Sequence, residues 1–281
     1  MDAGRCGWFL LDASVRARNF ERYLLMEKVS STDGTAIAYD TFGNGPGLIL
    51  VAGAFTDRSY YVPLATALSS AFTVVTYDRR GRGDSGDSSQ YAIEREIEDL
   101  SSLREATGAV FGYADSSGVM LLLRAVAADV PFEKLAIMEP PFRGEGAPPV
   151  PDRYVERLQE YIRAGNPGGA AELFIIEAVG QPASAVEEIK PTPMWPALEA
   201  MAHTLLYDAA LMGDSSVPVD LLAGVRTPTL AIHSTSSPAW LQNATKAAAD
   251  ALPNSQVEAL PGQFHQVPPE TLAPALTAFY L

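Results

Sequence analysis

Short apolar runs, separated by segments with helical spacing, constrain the fold of this chain more than any other feature. The runs are GLILVAG (47–53), FTVVTYD (72–78), AVFGYAD (109–115), KLAIMEP (134–140) and PTLAIHS (228–234). A strand is apolar at nearly every position when both faces of its sheet are covered, as in parallel sheets. The alternation of such strands with helices therefore predicts a doubly wound, mostly parallel α/β sheet.

The two edges of the sheet carry different signals. Segment 27–43 reads as two strands around Asp33-Gly34, which predicts an antiparallel β-hairpin at the N-terminal edge. The run QVEALPG (256–262) predicts the last strand. Helices are predicted at 61–69, 95–107, 117–130, 239–251 and from about 268.

One segment, residues 143–225, interrupts the alternation. It begins with RGEGAPPVPD and is then mostly helical in pattern, at 152–164, 168–179 and 194–212. In the last of these, five apolar residues recur on one helical face: Trp195, Leu198, Met201, Leu205 and Ala209. An all-helical insertion between two strands is expected to form a lid over the carboxyl edge of the sheet.

The predicted domain organisation follows from that interruption. Residues 26–142 and 226–281 are expected to form the α/β core, and residues 143–225 the helical lid. Residues 1–25 differ in pattern from the rest and are expected to be a loosely attached extension of unclear structure.

Charge and cysteine content narrow the function classes. With 34 acidic and 20 basic side chains the net charge is −14, which disfavours binding to nucleic acid or to an anionic membrane surface. The single cysteine allows no internal disulfide and the chain has no zinc-ligand spacing, which fits a reducing cytoplasm. We expect a small-molecule substrate and no cofactor or metal, and the oligomeric state stays open.

Two motifs carry a family resemblance. GYADSSG (112–118) joins a predicted strand to a predicted helix and nearly spells G-x-S-x-G, and YDRRGRGDSGDS (77–88) contains D-x-R-G-x-G-x-S. From about residue 27 onward the chain resembles the α/β-hydrolase superfamily, in a cofactor-free branch that has a lid. The resemblance implies a nucleophile on a sharp strand-to-helix turn, with small residues two positions before and after it.

That steric requirement selects one of the two adjacent serines. Ser116 would be flanked by Ala114 and Gly118, whereas Ser117 would be flanked by Asp115 and Val119, which are too large. Ser116 is therefore the predicted nucleophile. The alternative is that Asp-Ser-Ser is an ordinary N-cap of the following helix. A carboxylate at position 115 would also oppose negative charge beside the nucleophile, unless its side chain points away from the site.

The resemblance also indicates the catalytic base and acid. His265 follows the predicted last strand, where the family places its histidine, while His203 could line a pocket and His233 ends a strand. The loop 234–240, the commonest place for the acid, contains no carboxylate. Some family members place the acid one strand earlier, which here gives Glu139; the alternative is a carboxylate at the pocket rim or one that anchors the lid.

An oxyanion needs two converging donors. The resemblance implies the N–H of Ser117 and an N–H from the turn 51–57, with Ala54 as the second donor and Phe55 as the neighbouring option. The loop 77–88 is interpreted as structural, an ion-paired Asp78/arginine loop that supports the nucleophile turn, and not as a phosphate loop.

The leading hypothesis is a serine hydrolase that cleaves an ester or lactone of a small to medium, apolar substrate through an acyl-enzyme. The same fold supports C–C hydrolases, haloperoxidase-like enzymes, lyases and cyclases, and a silenced hydrolase could serve as a binding protein. Candidate pocket residues, any of which could equally be core residues, are Phe55, Phe142, Phe174, Trp195, Met201, His203 and Trp240.

Overall fold

The computed structural model describes residues 26–88, 90–144 and 146–281. The predicted N-terminal extension, residues 1–25, lies outside these described residues. Across the described ranges, strands and helices alternate along the chain as the sequence predicts, and most predicted strands match observed ones to within two residues.

The described residues form one eight-stranded sheet. Its order is β1-β2-β4-β3-β5-β6-β7-β8; β1 and β2 pair antiparallel, β2 pairs antiparallel to β4, and the other pairs are parallel. The predicted fold class, a mostly parallel sheet with a hairpin edge, is confirmed. The strands are β1 Glu27–Ser30, β2 Ala36–Phe42, β3 Gly47–Val51, β4 Thr73–Tyr77, β5 Phe111–Asp115, β6 Lys134–Met138, β7 Thr229–Ser234 and β8 Ser255–Leu260.

Helices cover both faces of this sheet. On one face, α1 and α11 share a buried apolar cluster with Leu50 and Val74 of the sheet. On the other face, α2, α3 and α10 share a cluster with Val75 and Ile137. Because apolar side chains of β3, β5, β6 and β7 point to both layers, these strands are buried along their whole length or nearly so. The core helices are α1 Val62–Leu68, α2 Ile93–Thr107, α3 Gly118–Ala127, α10 Ala239–Ala251 and α11 Pro269–Tyr280, and a 3₁₀ turn, Arg58–Tyr61, precedes α1.

Between β6 and β7 the described chain is helical, and we call residues 143–225 the insertion. A third apolar cluster lies within the insertion and includes one residue of the core, Phe55; we call it the Phe55 cluster. Leu211 and Leu222, near the end of the insertion, pack instead into the core cluster around α3. The insertion helices are α4 Tyr154–Arg163, α5 Pro167–Leu173, α6 Ala183–Ile189, α7 Met194–Met201, α8 Leu205–Met212 and α9 Val219–Gly224.

Two predicted insertion helices are interrupted. The segment predicted as one helix at 194–212 is split by a 3₁₀ turn, Ala202–Thr204, in which the Thr204 hydroxyl donates to the Met201 carbonyl at 2.8 Å. Such side-chain bonds to the preceding turn compete with the helical ladder. The segment predicted at 168–179 passes from α5 into a π-helical turn, Phe174–Ala178.

Candidate active site

The predicted nucleophile lies on a sharp turn between β5 and α3. Ser116 has a φ of +51°, and its backbone N–H donates to the Met138 carbonyl of the neighbouring strand at 3.0 Å. This left-handed backbone is strained for a residue with a side chain, and non-glycine residues adopt it mainly where the surroundings enforce it. The turn therefore projects Ser116 from the carboxyl edge of the sheet.

Close packing around the turn explains the small neighbours. A Cβ added at Gly118 would lie 2.5 Å from the Val51 carbonyl oxygen, so no larger residue fits there without movement of the backbone. A Cβ at Gly53, in the turn after β3, would lie 2.7 Å from the Ser116 Cβ and 3.2 Å from its Oγ. The β3 turn thus passes directly against the serine.

A carboxylate and an imidazole meet at the same edge. The Nδ1 of His265 lies 2.8 Å from Oε2 of Glu139, and Oε1 of Glu139 accepts from the Ser234 N–H at 2.7 Å. Glu139 is completely buried and His265 is 6% exposed. The loop 234–240, which has no acid of its own, thus helps to orient Glu139, and its Ser237 Oγ accepts from the His265 backbone N–H at 2.9 Å.

Backbone strain is concentrated around these residues. Seven described residues other than glycine have a positive φ, and four of them are Phe55, Ser116, Glu139 and His265. Each such residue costs on the order of 1–3 kcal/mol, and this strain persists only where other contacts determine the geometry. The clustering marks this edge of the sheet as a candidate active site on grounds independent of residue type.

The carboxylate next to the serine has a defined environment. Asp115 is 5% exposed, and its Oδ1 accepts from the Gly53 N–H at 3.1 Å. Burial raises its pKa above the usual value, although the nearby His265, the Tyr61 hydroxyl and the Gly53 N–H favour the charged form. Asp115 therefore braces the β3 turn, which the sequence pattern did not predict.

A buried ion-pair network lies behind the β3 turn. Asp208 of α8 receives Arg79 Nη1 at 2.8 Å, Arg82 Nη2 at 2.7 Å and the Ser117 hydroxyl at 2.8 Å. Arg79 is also bidentate to Glu96 of α2. Burial alone would raise the pKa of Asp208, but the two arginines and the hydrogen bonds from Arg79 and Ser117 lower it below its usual value. Asp208 is therefore a fixed negative charge at the base of the insertion.

The same loop corrects one detail of the sequence interpretation. The ion-pair partner of Asp78 is Arg58, from the turn before α1, and not an arginine of the loop 77–88. Asp78 also accepts from the N–H of Arg58 and of Asp84, at 2.7 and 2.8 Å. Because these donors occupy its carboxylate, the loop arginines point elsewhere; Arg80, for example, is bidentate to Asp99.

Known proteins resemble this chain in sequence and in fold. A model of the family described as "Alpha/beta hydrolase family" matches residues 48–275. The chain belongs to this family. An alpha/beta hydrolase from Sphaerobacter thermophilus has a solved structure that is 44% identical, with a TM-score of 0.86, and the match covers 91% of this chain and 100% of that one. The protein is thus an α/β-fold hydrolase.

Other relatives are more distant or are matched over a shorter length. The uncharacterized hydrolase YraK of Bacillus subtilis (strain 168) is 35% identical over 95 residues, 31% of this chain, so the match spans about a third (34%) of YraK. A Thermogutta terrifontis esterase shares the fold at 23% identity and a TM-score of 0.68, covering 92% of this chain and 97% of its own. A Burkholderia xenovorans enol-lactonase does so at 21% and 0.67, covering 90% and 98%.

The candidate pocket residues of this hydrolase fall in different places. Phe174, in the π-helical turn, packs edge-to-face on Phe55 with ring centroids 5.1 Å apart, and Met201 and Trp195 belong to the same cluster. Phe142 is completely buried in the core cluster with α3 and is not part of the Phe55 cluster.

The two remaining candidates lie in other surroundings. His203 is partly exposed and contacts Asp87 of the loop 77–88, with its Nε2 3.2 Å from the Asp87 Oδ2. Trp240 is half-buried at the start of α10. His233, expected to be a strand-end residue, lies with its Nδ1 3.3 Å from the Ser234 carbonyl.

Asp208 is the residue of this hydrolase that sequence reasoning missed. It is the one charged residue in the apolar stretch TLLYDAALM (204–212), and a carboxylate in such a stretch costs free energy if it is buried without a partner. The three arginines within residues 79–82 offered that partner. Their pairing spans more than 120 residues, and the sequence pattern alone does not reveal it.

Neither a membrane-spanning helix nor a metal-binding cluster occurs in the described residues. Within residues 26–88, 90–144 and 146–281, no helix has the length and apolar character needed to cross a membrane. The same residues contain no group of three or more histidine, cysteine or acidic side chains placed to hold a metal ion.

Proposed function

We propose that this hydrolase cleaves a carboxylic ester or lactone through an acyl-enzyme on Ser116. The observation that carries the proposal is the 2.8 Å contact between Glu139 and His265 at the sheet edge from which Ser116 projects. A buried carboxylate on Nδ1 leaves Nε2 of a neutral imidazole as the proton acceptor and stabilises the imidazolium that forms.

The proposed reaction forms an acyl-enzyme on Ser116 and then hydrolyses it, and His265 carries the proton in both stages. The Ser116 Oγ attacks the carbonyl carbon as its proton passes to His265. The N–H groups of Ala54 and Ser117 stabilise the resulting oxyanion. Collapse of the tetrahedral intermediate breaks the C–O bond, and His265 returns the proton to the leaving alcohol. A water molecule then attacks the acyl-enzyme as His265 takes its proton. Collapse of this second intermediate breaks the bond between the acyl carbon and Ser116 Oγ, and His265 returns the proton to that oxygen.

The substrate class rests on the surroundings of Ser116. The Phe55 cluster, which includes Phe174 and Trp195, offers apolar surface beside the β3 turn, and we infer that it holds the acyl or alcohol group under a lid formed by the insertion. A net charge of −14 disfavours polyanionic substrates. The esterase and the enol-lactonase that share the fold agree with this choice. We place the enzyme in the cytoplasm, because its single cysteine fits a reducing compartment.

A serine-directed fluorophosphonate probe tests the proposal, together with p-nitrophenyl esters of graded chain length. We expect the wild type to be labelled and to hydrolyse the esters, and Ser116→Ala to lose labelling and to lose about 10⁴-fold or more in kcat. Ser117→Ala is the matched control for the position of labelling, because it removes the adjacent hydroxyl and keeps that of Ser116, so the probe should still react with the protein, at whatever rate.

Three outcomes would contradict the proposal. Labelling that survives Ser116→Ala would move the nucleophile to another residue. An unlabelled wild type would favour a silenced hydrolase that acts as a binding protein. A labelled wild type that cleaves none of the esters would favour one of the other reactions that this fold supports.

A further inference from the structure

We propose that Asp208, a residue of the insertion, positions both donors of the oxyanion hole. This inference rests on the proposed serine mechanism and adds a residue that touches neither the substrate nor the reacting atoms. It assigns the insertion a part in the chemical step, beyond covering the substrate.

The first donor is tied to Asp208 directly. The Ser117 hydroxyl donates to Asp208 Oδ1 at 2.8 Å, and both residues are about 95% buried. Ser117 is the N-cap of α3, and its backbone N–H is the donor that follows the nucleophile. Holding its side chain limits rotation of the residue at the point where the strained turn enters the helix.

The second donor is tied to Asp208 through Arg82. Nη2 of Arg82 is bound by Asp208 at 2.7 Å, and its Nη1 donates to the Gly53 carbonyl, which also accepts from the Thr56 hydroxyl at 2.8 Å. The Gly53–Ala54 peptide is trans, so its C=O and N–H point in opposite directions. Fixing the Gly53 carbonyl toward Arg82 therefore fixes the Ala54 N–H on the opposite side.

Two further contacts hold the rest of the β3 turn, and the second of them belongs to the Asp208 network. Asp115 accepts from the Gly53 N–H at 3.1 Å, and Arg79 Nη1, bound to Asp208, donates to the Ala52 carbonyl at 3.3 Å. Arg79 and Arg82 are at most 2% exposed, so water cannot replace Asp208 as their partner without opening the structure.

Preorganised donors of this kind act mainly on the transition state, because the charge on the carbonyl oxygen develops there. Loosening them should lower kcat and leave KM nearly unchanged. A purely structural ion pair would instead change thermal stability with no selective effect on kcat. The two roles therefore give different readouts.

The decisive variant is Asp208→Asn, which keeps the shape and removes the charge. Its matched control is Asp87→Asn, because Asp87 also joins the loop 77–88 to α8, through Tyr207, and is partly exposed. The measurements are kcat and KM for a p-nitrophenyl ester, the inhibition constant of a trifluoromethyl ketone, and Tm. The ketone adds to the serine as an oxyanion, so its affinity reports on the oxyanion hole.

For Asp208→Asn we expect about 10- to 100-fold losses in kcat and in ketone affinity, below the 10²–10³-fold cost of removing a donor outright. KM should change less than about threefold, and Asp87→Asn should match the wild type. A folded Asp208→Asn enzyme with wild-type kcat and ketone affinity would overturn the proposal. An equal loss in Asp87→Asn would also do so.

If Asp208→Asn does not fold, Ser117→Ala decides, because it leaves both arginine pairs in place. A parallel loss of about 3- to 10-fold in kcat and ketone affinity supports the proposal, and wild-type values overturn it. The serine mechanism is judged separately on the wild type. If the wild type neither turns over esters nor binds the ketone, the proposed function fails, whatever the variants do.

Discussion

The candidate site has an acid–base half and an oxyanion half, and the two come from different parts of the chain. The acid–base half, Glu139 and His265, comes from loops that directly follow β6 and β8 and is held by the loop after β7. The oxyanion half depends on Arg82 and Ser117 of the core and on Asp208 of the insertion. The groups proposed to transfer the proton thus lie at the sheet edge, whereas the proposed oxyanion geometry depends on a segment inserted between two of its strands.

The comparison predicts that substitutions in the acid–base half have the largest effect. Glu139→Gln should lower kcat by about 10³–10⁴-fold, because a neutral amide neither stabilises the imidazolium nor enforces the required tautomer. Ester kinetics and Tm on the purified variant measure this. Glu133→Gln, an exposed change directly before the same strand, is the control and should leave both unchanged. A near-wild-type kcat in Glu139→Gln would remove that residue from the acid role.

A second prediction concerns stability at the junction of the two halves. The folded-state pKa of Asp115 is raised above 3.8, its ordinary value, so the folded protein binds this proton more tightly than the unfolded chain. The charged form is therefore destabilising above the raised pKa, and this cost disappears as pH falls toward 3.8. Asp115→Asn should raise Tm at pH 7, where 1 kcal/mol corresponds to about 2–4 °C.

The control for Asp115→Asn is its pH dependence. Its advantage over the wild type should shrink as pH falls from 7 toward 3.8, when Tm is followed by calorimetry at matched ionic strength. A lower Tm at pH 7, or a difference that does not change with pH, would mean that the carboxylate is needed in its charged form to hold the Gly53 N–H.

The smallest effect is expected at the exposed contact between the insertion and the core. His203→Ala removes the contact with Asp87, and partly exposed pairs contribute about 0–1 kcal/mol. We expect kcat and KM within about twofold of the wild type and a small decrease in Tm. A tenfold increase in KM would instead place His203 in the substrate pocket, as the sequence left open.

The sequence predicted the two halves unequally. Strands β3, β5, β6 and β7 were recognisable because burial on both faces leaves a continuous apolar run. Ser116, Glu139 and His265 followed from a family pattern of positions along the sheet, and their roles stay predictions. Asp208 could not be predicted in this way, because its partners are set by packing across 91 to 129 residues of chain.

Helix geometry in the insertion limited prediction further. A single helix over 194–212 would place Trp195 through Ala209 on one continuous apolar face. The 3₁₀ turn at Ala202–Thr204 interrupts that helix, so the helical spacing does not continue unchanged from α7 into α8. The periodicity of one long helix therefore does not show which side of α8 faces the core, and it gives no indication that Asp208 is buried.

The position of Asp208 in the chain determines when, during synthesis, the proposed oxyanion hole can become complete. Arg79, Arg82 and Ser117 emerge 129, 126 and 91 residues before the carboxylate that joins them. A nascent chain that ends before α8 would hold the serine and two arginines without their common partner. If Asp208 acts as proposed, full activity requires the insertion to fold back on the strands made before it, in addition to the synthesis of His265, which follows Asp208 in the chain.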